Sequence, residues 1–198
     1  MTKVIQPKIL YYGTPVILLT TLNEDGSTNI SPISSSWSLG NVIVLGVGLG
    51  GKALENLQRH PECVINLPDP SLWHNVERLA PFTGIEEVPE YKQQLGFTFK
   101  KDKFSESQLT PIDSLEVAPS RVAECPIQIE ARVMNVRIPD YSPFFAVVET
   151  QSILVHAQEE ILIGENHINP QKWSPLIYNF RHYFGLGAEL GKTFRSET

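Results

Sequence analysis

The sequence predicts a mainly antiparallel β-barrel with short inserted helices. Three observations predict it. Apolar runs are short and bounded by Gly, Pro, Asn or Asp, as strands are. The 198 residues carry 15 prolines and 13 glycines, well under the roughly 25–30% that marks low complexity, so they punctuate turns. Segments of helical period are brief, whereas a doubly wound sheet needs strands alternating with long helices.

The elements follow in order. Pro15 opens the apolar run Val16 to Leu22. Asn23-Glu24-Asp25-Gly26 then supplies an Asp-Gly hairpin signal, and Ser27 to Ile33 is the returning strand. Leu39-Gly40-Asn41 is a second turn. Asn41 to Val47 is a third strand, apolar enough to be buried on both faces. Ala53 to Arg59 has Leu54 and Leu57 three apart and stops at His60-Pro61, a helix of about two turns. Cys63 to Leu67 is a strand. Ser71 to Leu79 is helical in period, with Ser71 as its N-cap. Pro81 to Pro111 is polar, with a helical piece near Pro89 to Leu95, and reads as an excursion from the barrel because it lacks apolar residues for its own core. Strands resume at Ile127 to Ile138 and Phe144 to His156, with Glu159 to Ile163 beyond. One domain over residues 1–168 and a C-terminal arm over 169–198 result. Trp173, Tyr178, Phe180, Tyr183, Phe184 and Phe194 make this arm too aromatic for a loose tail, so it is expected to pack on the barrel or on a partner subunit.

Composition narrows the function classes. Sixteen Lys and Arg against 22 Asp and Glu leave a net charge of −6, without the basic footprint of a nucleic-acid binder. No run approaches the roughly 18 apolar residues of a membrane span, and the N-terminus has no signal-peptide core. Cys63 and Cys125 are too few for a disulfide framework. A cytoplasmic protein with free, buried thiols is expected. His60, His74, His156, His167 and His182 show no metal-binding spacing.

The most informative segment is Val42 to Ala53, which runs strand, glycines, Lys, helix. Backbone N–H groups at a helix start, together with Gly50, Gly51 and Lys52, form an anion site and imply a phosphate. Gly46, Gly51 and Lys52 fit a nucleotide P-loop, but Ala53 stands where that loop needs a hydroxyl for magnesium. Gly46, Gly48 and Gly51 fit a dinucleotide fingerprint, with Asp69 placed to bind a ribose. Against it, the helix is short and the flanking strands are antiparallel in pattern. The third reading is a flavin phosphate on a β-barrel.

That reading is joined by a resemblance. Pro15 to Gly26, Asn29 to Trp37, Lys52-x-x-x-Asn56-Leu57 and Cys63-Val-Ile-Asn66-Leu67-Pro68 together resemble the flavin reductase-like, FMN-binding split-barrel family, which includes flavin-supplying components of two-component monooxygenases. The resemblance implies a six-stranded antiparallel Greek-key split barrel, a homodimer and bound FMN. It implies NAD(P)H and free flavin as substrates, with hydride passing to flavin, and a monooxygenase as partner. Ser34, Ser35, Ser36, Lys52 and Asn56 are the residues it implicates. Trp37, Gly50 and Gly51 adjoin them and complete the expected cofactor site. Members commonly have Thr after this Lys, where this chain has Ala53. Reductase members often carry an Asp-His pair before a late strand, where this chain has Glu149-Thr-Gln and a distant His156. A non-catalytic FMN carrier, store or sensor is therefore the competing expectation. Arg181-His182-Tyr183-Phe184 suits either flavin contact or dimer packing. No acid–base pair is expected, since the cofactor carries the chemistry.

Overall fold

The computed structural model describes residues 1–194 and 196. Arg195, Glu197 and Thr198 of the expected arm lie outside the described residues. One seven-stranded antiparallel sheet dominates. Short β1 (Tyr12–Pro15) precedes the sheet, whose strands are β2 (Ile17–Leu22), β3 (Thr28–Ile33), β4 (Ser36–Leu39), β5 (Val42–Gly48), β6 (Glu62–Leu67), β7 (Ile127–Arg137) and β8 (Phe145–Ala157). Their order is β3-β2-β6-β7-β8-β5-β4. The sheet has one strand more than expected because Ser36–Leu39 pairs with β5, Ser36 opposite Leu45 and Leu39 opposite Val42.

The two edge strands are consecutive in the chain, so the sheet must curl until its edges meet at Ser34-Ser35. A backbone bond from Gly46 N–H to the Ser35 carbonyl at 2.7 Å fastens this corner. Glycine eases the approach: a Cβ on Gly46 would lie a tight 3.0 Å from Ser35 Cβ.

The barrel interior is filled by Ile17 and Leu19 of β2, Ile43, Leu45 and Val47 of β5, and their partners on β6 to β8. Helix α1 (Lys52–Arg59) closes one end, burying Ala53, Leu54 and Leu57. The outer face of β2 and β3 carries a second core. There Leu18 and Ile30 pack with Val76 and Leu79 of α2 (Trp73–Leu79) and Phe104 of α4 (Lys103–Ser107). Strand β2, buried from Ile17 to Thr21, lies between the two layers. The expectation that β5 is buried on both faces fails: Ile43, Leu45 and Val47 are inside, but Val42 and Gly48 are exposed. No helix among the described residues covers its outer side, and apolar composition alone does not distinguish a covered strand from a bare one.

Smaller differences have local causes. Asp69, not Ser71, is the capping side chain, and it accepts from Ser71 N–H at 2.8 Å. The excursion holds α3 (Glu90–Gln94) and α4. In the C-terminal segment, β9 (Ile177–Asn179) pairs with both β1 and β10 (His182–Phe184). Leu176 is buried and bonds Val16 N–H through its carbonyl at 2.8 Å. No helix among the described residues is long and apolar enough to cross a membrane.

Candidate functional site

A cleft of about 810 Å³ opens beside the Ser34-Ser35 corner, within the size range of small-molecule sites. The barrel contributes Ser31, Ile33, Ser34, Ser35 and the Gly46–Gly48 stretch, and α1 contributes its first residues. The opposite wall is the excursion, through Phe82, Tyr91, Lys92, Phe97 and Lys103. Tyr11, Tyr178, Arg181 and Tyr183 form the rim. Tyr11 Oη lies 3.1 Å from Ser35 Oγ, and its ring meets Tyr178 edge-on at 5.4 Å. Apolar and aromatic walls with a few convergent polar groups suit a flat ring system carrying a polar tail.

The glycine segment positions the start of α1. Gly50 has φ +66°, a left-handed conformation that favours glycine, and a Cβ there would also press on Tyr91 Oη at 3.0 Å. Gly51 is the N-cap residue and offers no side-chain cap. The opening N–H groups of a helix have no partner within it. Here they belong to residues that line the cleft, Lys52 and Ala53. Aligned N–H dipoles at this point favour an anion.

Three lysines surround that point, and their environments differ. Lys52 Nζ turns away, to Glu24 at 3.0 Å and Glu55 at 2.9 Å. Burial pulls its pKa down, but these two carboxylates more than offset that, and it stands above the usual lysine value. Lys92 Nζ donates to the Gly50 carbonyl at 2.6 Å and has its pKa lowered by burial. Lys103 is 3% exposed. Its nearest polar partner is Ser31 Oγ at 3.4 Å.

Of the expected cofactor residues, Ser34, Ser35, Gly51 and Lys52 line the cleft. Ser36, Trp37, Gly50 and Asn56 do not. Trp37 is exposed on the edge strand β4. Asn56 is buried and ties α1 to the first hairpin through Thr21 Oγ1 and Asn23 Oδ1. Sequence reasoning missed Ser31, Lys92 and Lys103. The two lysines reach the cleft only because the polar excursion folds back over it.

A second polar cluster lies outside the cleft. The fully buried Glu130 carboxylate accepts from the N–H groups of Leu115, Glu116 and Val117 at 2.6–3.1 Å. His156 Nε2 lies 2.7 Å from it. Burial raises the pKa of this carboxyl, but the N–H donors and His156 outweigh it and hold the value below normal. His156 is thus a hydrogen-bonded structural histidine. Asn66 bridges Leu18 O and Val122 N–H in the same manner.

The family model described as "Flavin reductase like domain" matches residues 9–187. The chain belongs to this family. A Bacillus subtilis (strain 168) relative, "Uncharacterized protein YdfE", is 65% identical over 196 residues, 99% of this chain and 95% of that protein. Among solved structures, flavoredoxin of Desulfovibrio vulgaris (Miyazaki F) superposes with TM-score 0.81 at 20% identity over 100% of both chains. Nitrilotriacetate monooxygenase component B from Bacillus cereus gives 0.74 at 18% identity, covering 94% of this chain and 89% of that one. These likenesses place the fold among the split barrels of the family.

Proposed function

We propose that the protein binds FMN in the cleft and acts as an NAD(P)H-dependent flavin reductase in the cytoplasm. The observation that carries this is the uncapped start of α1 facing a large, aromatic-walled cleft. The residues fit the group. The N–H groups of Lys52 and Ala53, the hydroxyls of Ser34 and Ser35, and the Lys92 ammonium suit the phosphate. Tyr91, Phe97 and Phe82 supply apolar wall for the ring. Bound FMN would supply hydride acceptance from the nicotinamide. The protein's own work is to hold the phosphate, orient the ring and exclude water from one face while leaving the other accessible. Arg181, on the rim, suits a phosphate of the incoming nucleotide.

Family membership supports the same reading, and the likeness to a monooxygenase component supports a partner monooxygenase that draws on reduced flavin. A homodimer belongs to the proposal. Trp37, Leu39, Val42, Met134, Ile153 and Val155 are exposed on β4, β5, β7 and β8, a run of apolar side chains that a second copy would cover.

The test is direct. The purified protein mixed with FMN should show a perturbed flavin spectrum. It should then oxidise NADH or NADPH faster than free flavin does. A flavin spectrum without oxidation means a carrier, and no spectral change with FMN or FAD rejects the flavin reading.

A further inference from the structure

Lys103 reaches the cleft from α4, around the free edge of β3. Its ammonium position is linked to the start of α1 by a short series of contacts. Lys103 Nζ is 3.4 Å from Ser31 Oγ, which accepts from Asn29 Nδ2 at 3.2 Å. Gly84 sits against both Asn29 and Lys52: a Cβ there would lie 2.7 Å from Asn29 Oδ1 and 3.1 Å from Lys52 Cβ. Asn29 Oδ1 is itself buried with no hydrogen-bond partner among the described residues. Lys103 therefore lines the same cleft as the α1 start, almost wholly buried, with no carboxylate within 4.0 Å among the described residues.

We propose that Lys103 is a proton-coupled receptor for the flavin phosphate, mostly uncharged in the ligand-free protein above neutral pH and protonated from solvent when the phosphomonoester binds. The proposal rests on the flavin reading and names a residue and a proton that this reading does not require. An isolated buried ammonium is costly and discards its proton. A dianionic phosphate beside it reverses that preference.

The surrounding charges agree. Burial, then the Lys92 ammonium, bring the Lys103 pKa down to about 7. Strand β3 carries no titratable side chain. On α2, Glu77 is held by Tyr183 Oη and Arg78 by Gln108, while His74 stacks on Trp73. On α4 and beside it, Glu106 pairs with Lys100, and Asp102 caps Ser105 N–H. None of these carboxylates is an ion-pair partner of Lys103. Lys103 differs in this from Lys52, whose charge two glutamates already balance.

Calorimetry in buffers of different ionisation enthalpy tests the proposal with FMN and riboflavin. At about pH 8.5, wild type should take up close to one proton per FMN and none per riboflavin; at about pH 6, where the amine is already charged, the uptake should give way to release of up to about half a proton from the phosphate itself, whose second pKa is about 6. Lys103→Met should lose the uptake and bind FMN about tenfold or more weaker, with riboflavin unchanged. Undiminished uptake or undiminished FMN affinity in Lys103→Met overturns the proposal while leaving flavin binding standing. If Lys103→Met does not fold, wild type with ¹³Cε-labelled lysine gives the answer. One lysine should titrate near neutrality and move upward with inorganic phosphate, and its absence overturns the receptor. The same phosphate titration separates the two ideas. No flavin binding with a phosphate-shifted lysine removes the flavin reading and keeps the anion receptor.

Discussion

Lys92 Nζ sits 2.6 Å from the carbonyl oxygen of Gly50 and 3.8 Å from where a Cβ on Gly51 would lie. A lysine on α3, some forty residues further along the chain, thus brings its ammonium to the first turn of α1. Lys52, within that turn, gives its own to Glu24 and Glu55.

The two lysines should therefore differ when removed. Lys92→Ala should weaken FMN about 10- to 150-fold, as expected for losing a charge-assisted bond of about 1.5–3 kcal/mol, with riboflavin little changed. Lys52→Ala should cost less than about 1 kcal/mol, the usual worth of a solvent-screened pair. Parallel fluorescence titrations of the two variants measure the contrast. Equal losses would mean that the Lys52 ammonium leaves its glutamates for the ligand.

Acid should loosen the segment that Glu130 holds. Its folded pKa lies below the ordinary carboxyl value of 4.5. The stabilisation is therefore complete above that value and is lost as pH falls through the folded pKa. Melting temperature should drop below about pH 4.5. Glu130→Gln should flatten that drop and cost about 1–3 kcal/mol at neutral pH, because an amide nitrogen replaces an acceptor facing buried N–H donors. Melting curves from neutral to acid pH compare the two proteins.

The C-terminal segment should be indispensable to stability. Leu176 is 1% exposed, inside the outer core with Tyr178 and Tyr183 against it. Leu176→Ala should cost about 2–5 kcal/mol, as other buried Leu truncations do. Deleting everything after Ile168 should lower solubility and melting temperature further, because it bares β1 and the outer core. An unchanged melting curve for the truncated chain would show that the segment packs too weakly to matter.

The exposed strand face should be an interface. Wild type is expected to sediment at twice the chain mass. Replacing Trp37, 59% exposed, with Asp should give monomers with intact circular dichroism. A monomeric wild type removes the dimer proposal.

Circular dichroism dominated by strand would accompany all of these, and the sequence foretold that much. Asp25-Gly26, His60-Pro61 and the short apolar runs are local signals, since turn residues act through their own backbone preferences. They were enough for the antiparallel strands and for a short helix that starts just after Gly51. What the sequence could not determine depends on approach between distant segments. Val42–Gly48 reads as fully buried because its composition says nothing about whether a helix will cover its outer face. The β9–β10 hairpin was invisible because Phe180 and Arg181 turn with φ of 44° and 70°, where Asn and Gly are the usual residues. Ser34 and Ser35 reach the cleft while Ser36 enters β4, a division set by where the barrel edges meet. Lys92 and Lys103 lie in a polar stretch with no motif, and only the folding of that stretch over β3 and α1 brings both amines to the cleft. Local propensity wrote the strands and the helix start; long-range packing chose which cations face the cleft.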